Sequence, residues 1–383
     1  MKKLMSMLLA MVLMLSLVPT AFADTVIDPN EERNITLAKV GANEMQEGIS
    51  PITGRKFSDL EVIDGFAGQA VTGRYMPMLV QIDNTDGGVD IRSPWGASYA
   101  DIVYETPLYS SGNTRLSFLF SDLIPDSVGP VRSARLSHVW LREEWDAGFV
   151  FYGQQEYEET NAKAELSKWK VNSKGLAFSG IVGETKPWKK YYNRRADLAS
   201  PHDVDANVAA MYGLIDPSFE ARNHTFLFTD EVPQGEPADE VRIKTGHPTY
   251  SSALLYDQDS KLYHRYMGTG DSLVAYVDQD TNEQLGFANV IIQFTEVDWY
   301  ASDAPVAYQV GKKYFNGGET YEVGGNADFF MGGVRVKGYW QRKDMESRTV
   351  FYTEDGQELE LQRGKTLIVV ADREKWQVSY QAY

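Results

Sequence analysis

The sequence predicts an α+β protein, with a mixed α/β N-terminal domain followed by a mostly antiparallel β C-terminal domain. In the first half of the chain, strand-like runs alternate with segments whose apolar residues recur at helical spacing. After residue 241, short β-type runs are separated by Gly, Asp and Asn, and no helical period is visible. Residues 230–240 are acidic and rich in Pro and Gly, which is typical of a linker. We therefore expect one domain over residues 61–229 and a second over residues 241–383.

The first 23 residues have the form of a secretory signal peptide. A pair of lysines precedes an apolar run over residues 4–18, and Ala21-Phe22-Ala23 offers a cleavage site after Ala23. The apolar run is short for a membrane span, and no second run of spanning length follows. We therefore expect a secreted protein with no integral membrane span after cleavage. Residues 24–60 are polar, and we interpret them as a linker that is mostly without fixed structure.

Charge and cysteine content restrict the classes of function. The formal net charge is −17, which argues against nucleic acid and against an anionic membrane as partners. The chain has no cysteine, so disulfides, thiolate metal ligands, a Cys nucleophile and a lipid-modified N-terminal Cys are not expected. We accordingly predict no lipid anchor.

The N-terminal domain is expected to begin with strands and a hairpin. An apolar strand over residues 78–82 ends in the turn sequence Asp-Asn-Thr-Asp-Gly-Gly. Residues 100–105 and 114–120 are β-rich runs on either side of a Gly-containing turn, which predicts a hairpin. In the second run, alternate apolar residues share one face, so Arg115 points to the other face.

A helix is predicted to start near Pro130, within the sequence Gly-Pro-Val-Arg-Ser-Ala-Arg of residues 129–135. Proline is tolerated in the first turn of a helix, and the apolar residues from Val131 onwards recur at helical spacing. The apolar run at residues 148–153 comes next, so the order strand, helix, strand predicts a parallel crossover. Further helices are expected at residues 156–169 and from Asp203, as N-cap, to about residue 212.

The C-terminal domain is expected to consist of short strands. Each β-type run is bounded by turn-forming residues, which favours antiparallel connections. The strands are predicted at residues 262–266, 273–277, 290–294, 334–340, 349–352 and 367–370.

Two closely spaced arginines, Arg132 and Arg135, need a negative partner. On the first turn of a helix they would share a face at the positive end of the helix dipole, where a cation is disfavoured by roughly 0.3–1 kcal/mol. In one interpretation, Asp101 and Glu105 pair with them and lock the hairpin to the helix. In the other, an anionic ligand carrying phosphate or carboxylate binds there, with Arg115 as a third guanidinium. The sequence leaves both interpretations open.

Acidic residues of the N-terminal domain raise the alternative of a hydrolase. Asp101 and Glu105 lie four apart on one strand, hence roughly 13 Å apart, too far for a glycosidase acid/base pair. A third acid, such as Asp83 or Glu156, would be needed to complete such a pair. A structural role for these carboxylates is therefore favoured.

For two other groups of candidate residues, the sequence also favours structural roles. Ser133 and His138 would face away from each other on a helix, which does not suit acyl transfer. The group His202, Asp203 and Asp205 lacks the spacing of metal ligands, and Asp203 has a capping role available. We predict neither a metal nor a cofactor.

Residues 186–192 are basic and aromatic. Trp188, Tyr191 and Tyr192 beside the lysines of this segment could form a surface that contacts sugars or polymers, with cations over the rings. The other interpretation is a loop that packs its own aromatic side chains.

Several motifs make the chain resemble the YerB-like family of exported bacterial envelope proteins, which are built from a paired N- and C-terminal domain of unknown function. The run at residues 129–135 is the most specific of them. The others are Pro-Ile-Thr-Gly at 51–54, Ala-Asp-Ile-Val-Tyr-Glu at 100–105, Thr-Arg at 114–115, Ser-Pro-His-Asp at 200–203, Tyr-His-Arg at 263–265, Asn-Val-Ile-Ile at 289–292 and the region of Trp340. Two features depart from the family: many members look like lipoproteins, and many carry Asn where Asp203 stands here. The resemblance implies an extracytoplasmic, cell-envelope location and no particular reaction.

The sequence therefore predicts a secreted, envelope-associated binding or scaffolding protein, and an enzyme only as the alternative. Its partner would be an anionic envelope ligand or an envelope protein. The candidate ligand-binding residues combine the arginines, the two carboxylates and residues of the family motifs: Arg115, Arg132, Arg135, Asp101, Glu105, His202, Tyr263 and Arg265. The alternative is a glycan or peptide hydrolase of the cell envelope that uses acidic residues of the N-terminal domain.

Overall fold

The structure, a computed structural model, describes residues 24–84, 92–157, 160–180, 185–247, 251–269, 272–299 and 323–383. The predicted signal peptide over residues 1–23, with its cleavage site, lies outside the described residues. Among the described helices, none is long and apolar enough to cross a membrane.

Strands dominate the described ranges, and the helices are short. The helices are α1 (Gln69–Thr72), α2 (Leu136–Trp145), α3 (Ala162–Lys168) and α4 (Val208–Tyr212), with 3₁₀ turns at Phe57–Asp59, Ala97–Tyr99 and Pro187–Tyr191. The strands before residue 240 are β1 (Thr25–Val26), β2 (Met78–Asp83), β3 (Ile102–Pro107), β4 (Thr114–Phe120), β5 (Gly148–Phe151), β6 (Ala177–Ser179), β7 (Tyr192–Arg194), β8 (Val204–Ala206), β9 (Leu227–Thr229) and β10 (Glu236–Pro237). The later strands are β11 (Glu240–Lys244), β12 (Ser251–Asp257), β13 (Leu262–Thr269), β14 (Ser272–Ala275), β15 (Gly286–Phe287), β16 (Asn289–Thr295), β17 (Val323–Met331), β18 (Val334–Arg342), β19 (Val350–Thr353), β20 (Glu360–Gln362), β21 (Thr366–Asp372) and β22 (Gln377–Gln381).

One large mixed sheet runs through both halves of the chain. Its strand order is β10-β18-β17-β16-β21-β3-β4-β2-β5-β6, with β19 beside β18. Strand β21 is parallel to both β16 and β3, which places Val369 beside Glu105. Apart from β21, the C-terminal strands of the two main sheets pair antiparallel, and the predicted α+β class is confirmed. The domain division at residues 230–240 stays a prediction, and this continuous sheet crosses it.

A second sheet packs against the large one. Its order is β1-β22-β11-β12-β13-β14, with β15 beside β13. Aromatic rings fill part of the space between the sheets: Tyr263 lies edge-on to Phe330 at 6.4 Å, and Phe330 lies 6.2 Å from Tyr380. Burial of these rings removes apolar surface of both sheets from water, which favours their association.

The helix after the hairpin begins later than the sequence predicts. Residues 129–135 are extended, because Gly129 exchanges two backbone hydrogen bonds with Trp95, at 2.9 and 3.1 Å. Helix α2 therefore begins only at Leu136, with Arg135 as the N-cap residue in an extended conformation. The prediction that a helix starts near residue 130 is wrong, and neither arginine of this segment lies on a helical turn.

The hairpin of β3 and β4 is confirmed, whereas the parallel crossover is wrong. Strand β5 is parallel to β2, and β2 is antiparallel to β4, so β4 and β5 run in opposite directions. The two later helices are shorter than predicted. Their N-caps are Asn161 and Asn207, whose side chains accept backbone hydrogen bonds at 2.9 and 2.8 Å, while Asp203 precedes strand β8 instead.

Residues 24–60 differ from the expectation of a linker without fixed structure. Strand β1 pairs with β22 at the edge of the second sheet. Arg33 reaches the large sheet, where it lies 3.1 Å from the fully buried Asp328. Ser50 and Thr53 donate hydrogen bonds to Asp122 at 2.7 and 2.8 Å. Polar composition did not reveal this packing, because the segment is held largely by buried hydrogen bonds and ion pairs, with only a few apolar side chains such as Ile27 and Ile52 in the core.

Candidate functional site

A polar row crosses three strands of the large sheet beneath helix α2. The register places Asp83 of β2, Arg115 of β4 and Thr106 of β3 side by side. Paired residues of neighbouring strands point to the same face. Helix α2 covers this face, as the hydrogen bond of 2.8 Å from Trp145 Nε1 to the Tyr104 hydroxyl shows. Arg115 is thus enclosed between the sheet and the helix.

The extended segment before α2 brings two further arginines to Arg115. Arg115 Nη1 donates to the carbonyl oxygen of Ser133 at 3.0 Å, and Arg135 Nη1 reaches the same oxygen at 3.5 Å. Arg132 Nε lies 3.6 Å from Asp83, the residue that pairs with Arg115 in the register. We call Arg115, Arg132 and Arg135 the arginine cluster.

Burial shapes the electrostatics of the arginine cluster. Arg115 is 1% exposed, whereas the side chain of Arg132 is 26% exposed. The pKa of Arg115 is lowered to about 9, mainly by burial, while the charge of Asp83 opposes this shift and the charges of the two neighbouring arginines add to it. Burial also lowers the pKa of Arg135. A guanidinium stays protonated at neutral pH in such a site, so the cluster holds three positive charges.

Carboxylates offset this charge incompletely. Asp83 is fully buried, contacts Arg132 and is hydrogen-bonded to Nδ1 of His202. Within the described ranges, neither Arg115 nor Arg135 forms an ion pair, and their partners are backbone carbonyls and the Tyr109 hydroxyl. In the same part of the chain, the Nε atom of each arginine of the cluster is buried without a hydrogen-bond partner. The site therefore has donor groups to offer to an anion.

His202 reaches the arginine cluster from the loop between β7 and β8. The adjacent carbonyl of Pro201 accepts a hydrogen bond of 3.3 Å from Arg132 Nη1. Because Nδ1 of His202 faces Asp83, Nε2 is the ring nitrogen that remains for a ligand, and the side chain is 14% exposed. Of the candidates taken from the family motifs, His202 is the one that lies at the cluster.

His138 closes the inner wall of the site as a neutral ring. Its Nδ1 accepts the backbone N–H of Arg135 at 3.1 Å, so Nε2 carries the proton and faces the Thr106 hydroxyl, also at 3.1 Å. Full burial lowers the pKa of His138 well below its usual value, and the charges of Arg115 and Arg135 act in the same direction. His138 therefore orients the segment that carries Arg135 without adding charge.

Asp101 lies in a different buried group. Its Oδ2 accepts the backbone N–H groups of Ser121 and Asp122 at 2.6 and 2.9 Å. Burial raises the pKa of Asp101 well above its usual value, and the neighbouring Asp122 carboxylate raises it further. The carboxylate of Asp101 is thus bonded to the chain that follows β4, and it forms no ion pair with Arg132 or Arg135 among the described residues.

Glu105 pairs with the second sheet rather than with the arginine cluster. Its register partner is Leu116, so it points to the face opposite to Arg115. Arg265 of β13 donates to Glu105 Oε2 at 2.7 Å. Tyr263, also on β13, donates its hydroxyl proton to the carbonyl of Ala238 at 2.8 Å. The structure therefore places Glu105, Tyr263 and Arg265 in the packing between the sheets.

The structure does not bring the other candidate groups of residues together either. Ser133 donates to the carbonyl of Tyr152 at 3.2 Å and does not contact His138. Glu156 is paired with Lys163 at 3.2 Å near the surface. Asp203 is paired with Arg194 at 2.5 Å, and Asp205 accepts hydrogen bonds from Trp95 and Ser127 at 2.7 and 2.8 Å. Each acid has its own partner, and among the described residues no group of three His, Asp or Glu side chains could hold a metal ion.

These features define a two-sheet α+β protein with a buried arginine cluster between sheet and helix, and comparison with known proteins identifies its family. Residues 65–218 match the N-terminal domain, and residues 241–368 the C-terminal domain, of a protein of unknown function (DUF3048). The chain belongs to this two-part family, which confirms the resemblance to YerB-like proteins.

The YerB protein of Bacillus subtilis is similar to this chain in sequence and in fold. The chain is 27% identical over 323 residues to the putative lipoprotein YerB of Bacillus subtilis strain 168, a match that covers 81% of this chain and 86% of the relative. It is also similar to the crystal structure of the YerB protein from Bacillus subtilis, with a TM-score of 0.62, 23% identity, and coverage of 86% of this chain and 99% of that one. The relative's name argues against our expectation of no lipid anchor, which stays a prediction.

Sequence reasoning missed the pairing of Asp83 with His202. The two residues are 119 positions apart, and the sequence marked Asp83 only as a third acid for the hydrolase alternative. The motif around His202 marked that residue, but nothing in the sequence connects it to the end of strand β2. Tyr109, which bonds Arg135 at 3.4 Å, was missed for the same reason.

Proposed function

We propose that this protein is an extracytoplasmic, cell-envelope-associated binding or scaffolding protein that holds an anionic ligand at the arginine cluster. The similarity to a protein named as a putative lipoprotein supports the location. The observation that carries the ligand is that the fully buried Arg115 and the half-buried Arg135 form no ion pair among the described residues. The ligand presents a phosphate or a carboxylate to the cluster.

The free energy of burial makes this arrangement costly unless an anion binds. Charged groups are seldom fully buried unless they are paired, because they lose hydration. Carboxylates are abundant in a chain of net charge −17, yet the arginine cluster contacts one of them, Asp83, within the described ranges. Guanidinium forks match the geometry of phosphate and carboxylate oxygens. The partly exposed Arg132 and His202 offer the side from which a ligand can enter.

The alternative of an envelope hydrolase lacks such support. Asp101 and Glu105, the acids on which it relied, are both buried and bonded to other groups of the protein. We therefore do not extend the proposal to hydrolysis.

The test compares the purified protein with Arg132→Gln, in melting and calorimetric titrations at low salt. The probes are inorganic phosphate, glycerol 3-phosphate and the carboxylated sugar N-acetylmuramic acid. The matched control is Arg373→Gln, which removes the same charge from a side chain that is 39% exposed and paired with Glu296. At about a hundredfold excess over Kd, a bound probe should stabilise the protein by about 2.7 kcal/mol.

We expect at least one probe to raise the melting temperature of the protein and of Arg373→Gln, and the increase to vanish in Arg132→Gln. If no probe changes the melting temperature of the protein, or if Arg132→Gln keeps the full increase, the proposed function is wrong.

A further inference from the structure

A band of aromatic rings and cations lies beside the arginine cluster. The aromatic band consists of Tyr152, Trp188, Tyr191 and Tyr192 with the cations Lys186, Lys190 and Arg194. All three cations lie over rings: Lys186 Nζ is 5.9 Å from the Trp188 ring, Lys190 Nζ is 4.9 Å from the Tyr191 ring, and Arg194 is 5.6 Å from the Tyr152 ring. Attraction between a cation and the face of an aromatic ring holds each of these side chains in place.

The aromatic band is continuous with the arginine cluster. The backbone N–H of Tyr152 donates to the carbonyl of Arg132 at 2.9 Å, so the first ring of the band is joined to the cluster by the main chain. The ring of Tyr152 lies edge-on to that of Tyr192 at 5.6 Å. A ligand bound at Arg132 can therefore continue over this neighbouring surface.

The rings of the aromatic band are held in place from below. Trp188 donates from Nε1 to the carbonyl of Ser179 at 2.9 Å and packs against Phe178 at 5.6 Å. The hydroxyl of Tyr192 donates to the carbonyls of Phe178 and Phe151, at 2.5 and 3.1 Å. The loop thus does pack its aromatic residues, while Trp188 and Tyr191 remain partly exposed. Rings fixed in this way bind a ligand with little loss of conformational entropy.

The cations of the aromatic band are largely uncompensated. In the described part of the chain, Lys186 and Lys190 form no ion pair, whereas Arg194 is paired with Asp203 at 2.5 Å. On a protein of net charge −17, these lysines extend the positive region of the arginine cluster along the surface. Charge complementarity therefore favours a ligand that carries several negative groups.

We propose that the anionic ligand is a polymer, a phosphate-bearing polyol or sugar chain, with one phosphate at the arginine cluster and further repeats along the aromatic band. This inference rests on the proposed function. The lysines bind successive phosphates, and the ring faces of Trp188 and Tyr191 pack against the apolar faces of the repeats between them. A polymer with repeated anionic groups thus gains affinity from several weak contacts at once.

The test measures affinity against chain length at low salt. The probes are glycerol 3-phosphate and a purified glycerol phosphate oligomer of about eight repeats, a length chosen so that several contacts can form together. The variants are Arg132→Gln and the double variant Lys186→Gln/Lys190→Gln. The matched control is Lys56→Gln/Lys244→Gln, which removes two exposed lysines outside the band.

We expect the oligomer to bind at least about tenfold more tightly than glycerol 3-phosphate. The double variant of the band should lose this advantage and keep the affinity for glycerol 3-phosphate, whereas Arg132→Gln should lose both and the control neither. If the oligomer binds no more tightly than the monomer, or if the double variant keeps the advantage, the polymer inference is wrong and the proposed function stands. If neither probe binds, or if Arg132→Gln binds both unchanged, the proposed function is wrong. If phosphatidylglycerol vesicles displaced the oligomer from the aromatic band as well as the free oligomer does, the polymer inference would also be wrong, and the band would bind a lipid surface.

Discussion

Arg265 donates a hydrogen bond of 2.7 Å to Glu105, 160 residues earlier in the chain. The two side chains are 0% and 3% exposed and connect strand β13 of the second sheet with strand β3 of the large sheet. Glu105 also accepts hydrogen bonds from Thr114 and Asn84, at 2.7 and 3.2 Å, so its carboxylate is well satisfied. This ion pair fixes how the two sheets meet.

Breaking this ion pair should destabilise the protein strongly. Arg265→Met leaves the Glu105 carboxylate buried without its cation, and we expect the free energy of unfolding to fall by about 3–5 kcal/mol. Urea unfolding measures the free energy of unfolding of the unaltered protein, of Arg265→Met and of the control Arg373→Gln, whose arginine is exposed. In the double variant Arg265→Met/Glu105→Gln, part of the loss should be recovered because the buried charge is gone. A loss below about 1 kcal/mol in Arg265→Met would be typical of a surface pair and would contradict this role.

Removal of Arg115 should abolish ligand binding without lowering the stability of the free protein. Arg115 is buried without an ion pair in the described ranges, and replacing such a charge by an apolar side chain is often neutral or stabilising. We therefore expect Arg115→Met to keep or raise the melting temperature of the free protein while its affinity for the phosphate probes is lost. Calorimetric titration and melting of the same sample measure both quantities.

The matched control for Arg115 is Arg142, another fully buried arginine. Arg142 is paired with Glu143 and Asp146 at 2.5 and 3.1 Å. Arg142→Met should therefore cost about 3–5 kcal/mol, because it leaves the buried carboxylates of Glu143 and Asp146 with only more distant cations, such as Arg222 at 3.9 and 3.6 Å. If Arg115→Met were as destabilising as Arg142→Met, Arg115 would be a structural residue.

Asp101 should make stability depend on pH. Burial raises the pKa of Asp101 in the folded protein well above the value of 3.8 expected when unfolded. The folded state therefore binds a proton that the unfolded state releases, and the stabilisation present at low pH is lost as the pH rises through the folded-state pKa. Each unit of raised pKa corresponds to about 1.4 kcal/mol.

The variant Asp101→Asn tests this dependence, because an amide has no titrating proton and its oxygen can still accept from Ser121 and Asp122. Urea unfolding between about pH 4 and pH 8 should show the protein losing stability relative to the variant as the pH rises. The exposed substitution Glu354→Gln serves as the control. A constant difference between protein and variant over this range would contradict a raised pKa.

Arg33 should hold the N-terminal segment on the large sheet. Its Nη1 donates to the carbonyls of Ala327 and Gly338, both at 2.8 Å, and Nη2 lies 3.1 Å from Asp328. Arg33→Met leaves these buried acceptors without a donor, which should lower the free energy of unfolding by about 1–3 kcal/mol. Limited proteolysis should then cut within residues 24–60 faster than in the unaltered protein. Identical cleavage rates would show that β1 and the contacts of Asp122 suffice to hold the segment.

The sequence by itself determined the local features of this protein. Alternation of apolar residues defined the hairpin strands and placed Arg115 on the face opposite to its apolar neighbours, because the side chains of a strand alternate wherever it packs. The short β-type runs of the second half likewise indicated the strands around Tyr263 and Val290. The motif of residues 129–135 marked two of the three arginines that form the cluster, Arg132 and Arg135.

The tertiary structure alone decided which partners these residues have. Arg132 meets Asp83, which also pairs with His202, instead of Asp101, and Glu105 meets Arg265, because ion pairs depend on how distant elements pack. The start of helix α2 was decided in the same way. The helical spacing of apolar residues begins at residue 131, but the backbone of this segment forms hydrogen bonds with distant residues instead of with a helical turn. A sequence period fixes the face on which a side chain lies, whereas the packing of elements far apart in the chain fixes what that face contacts.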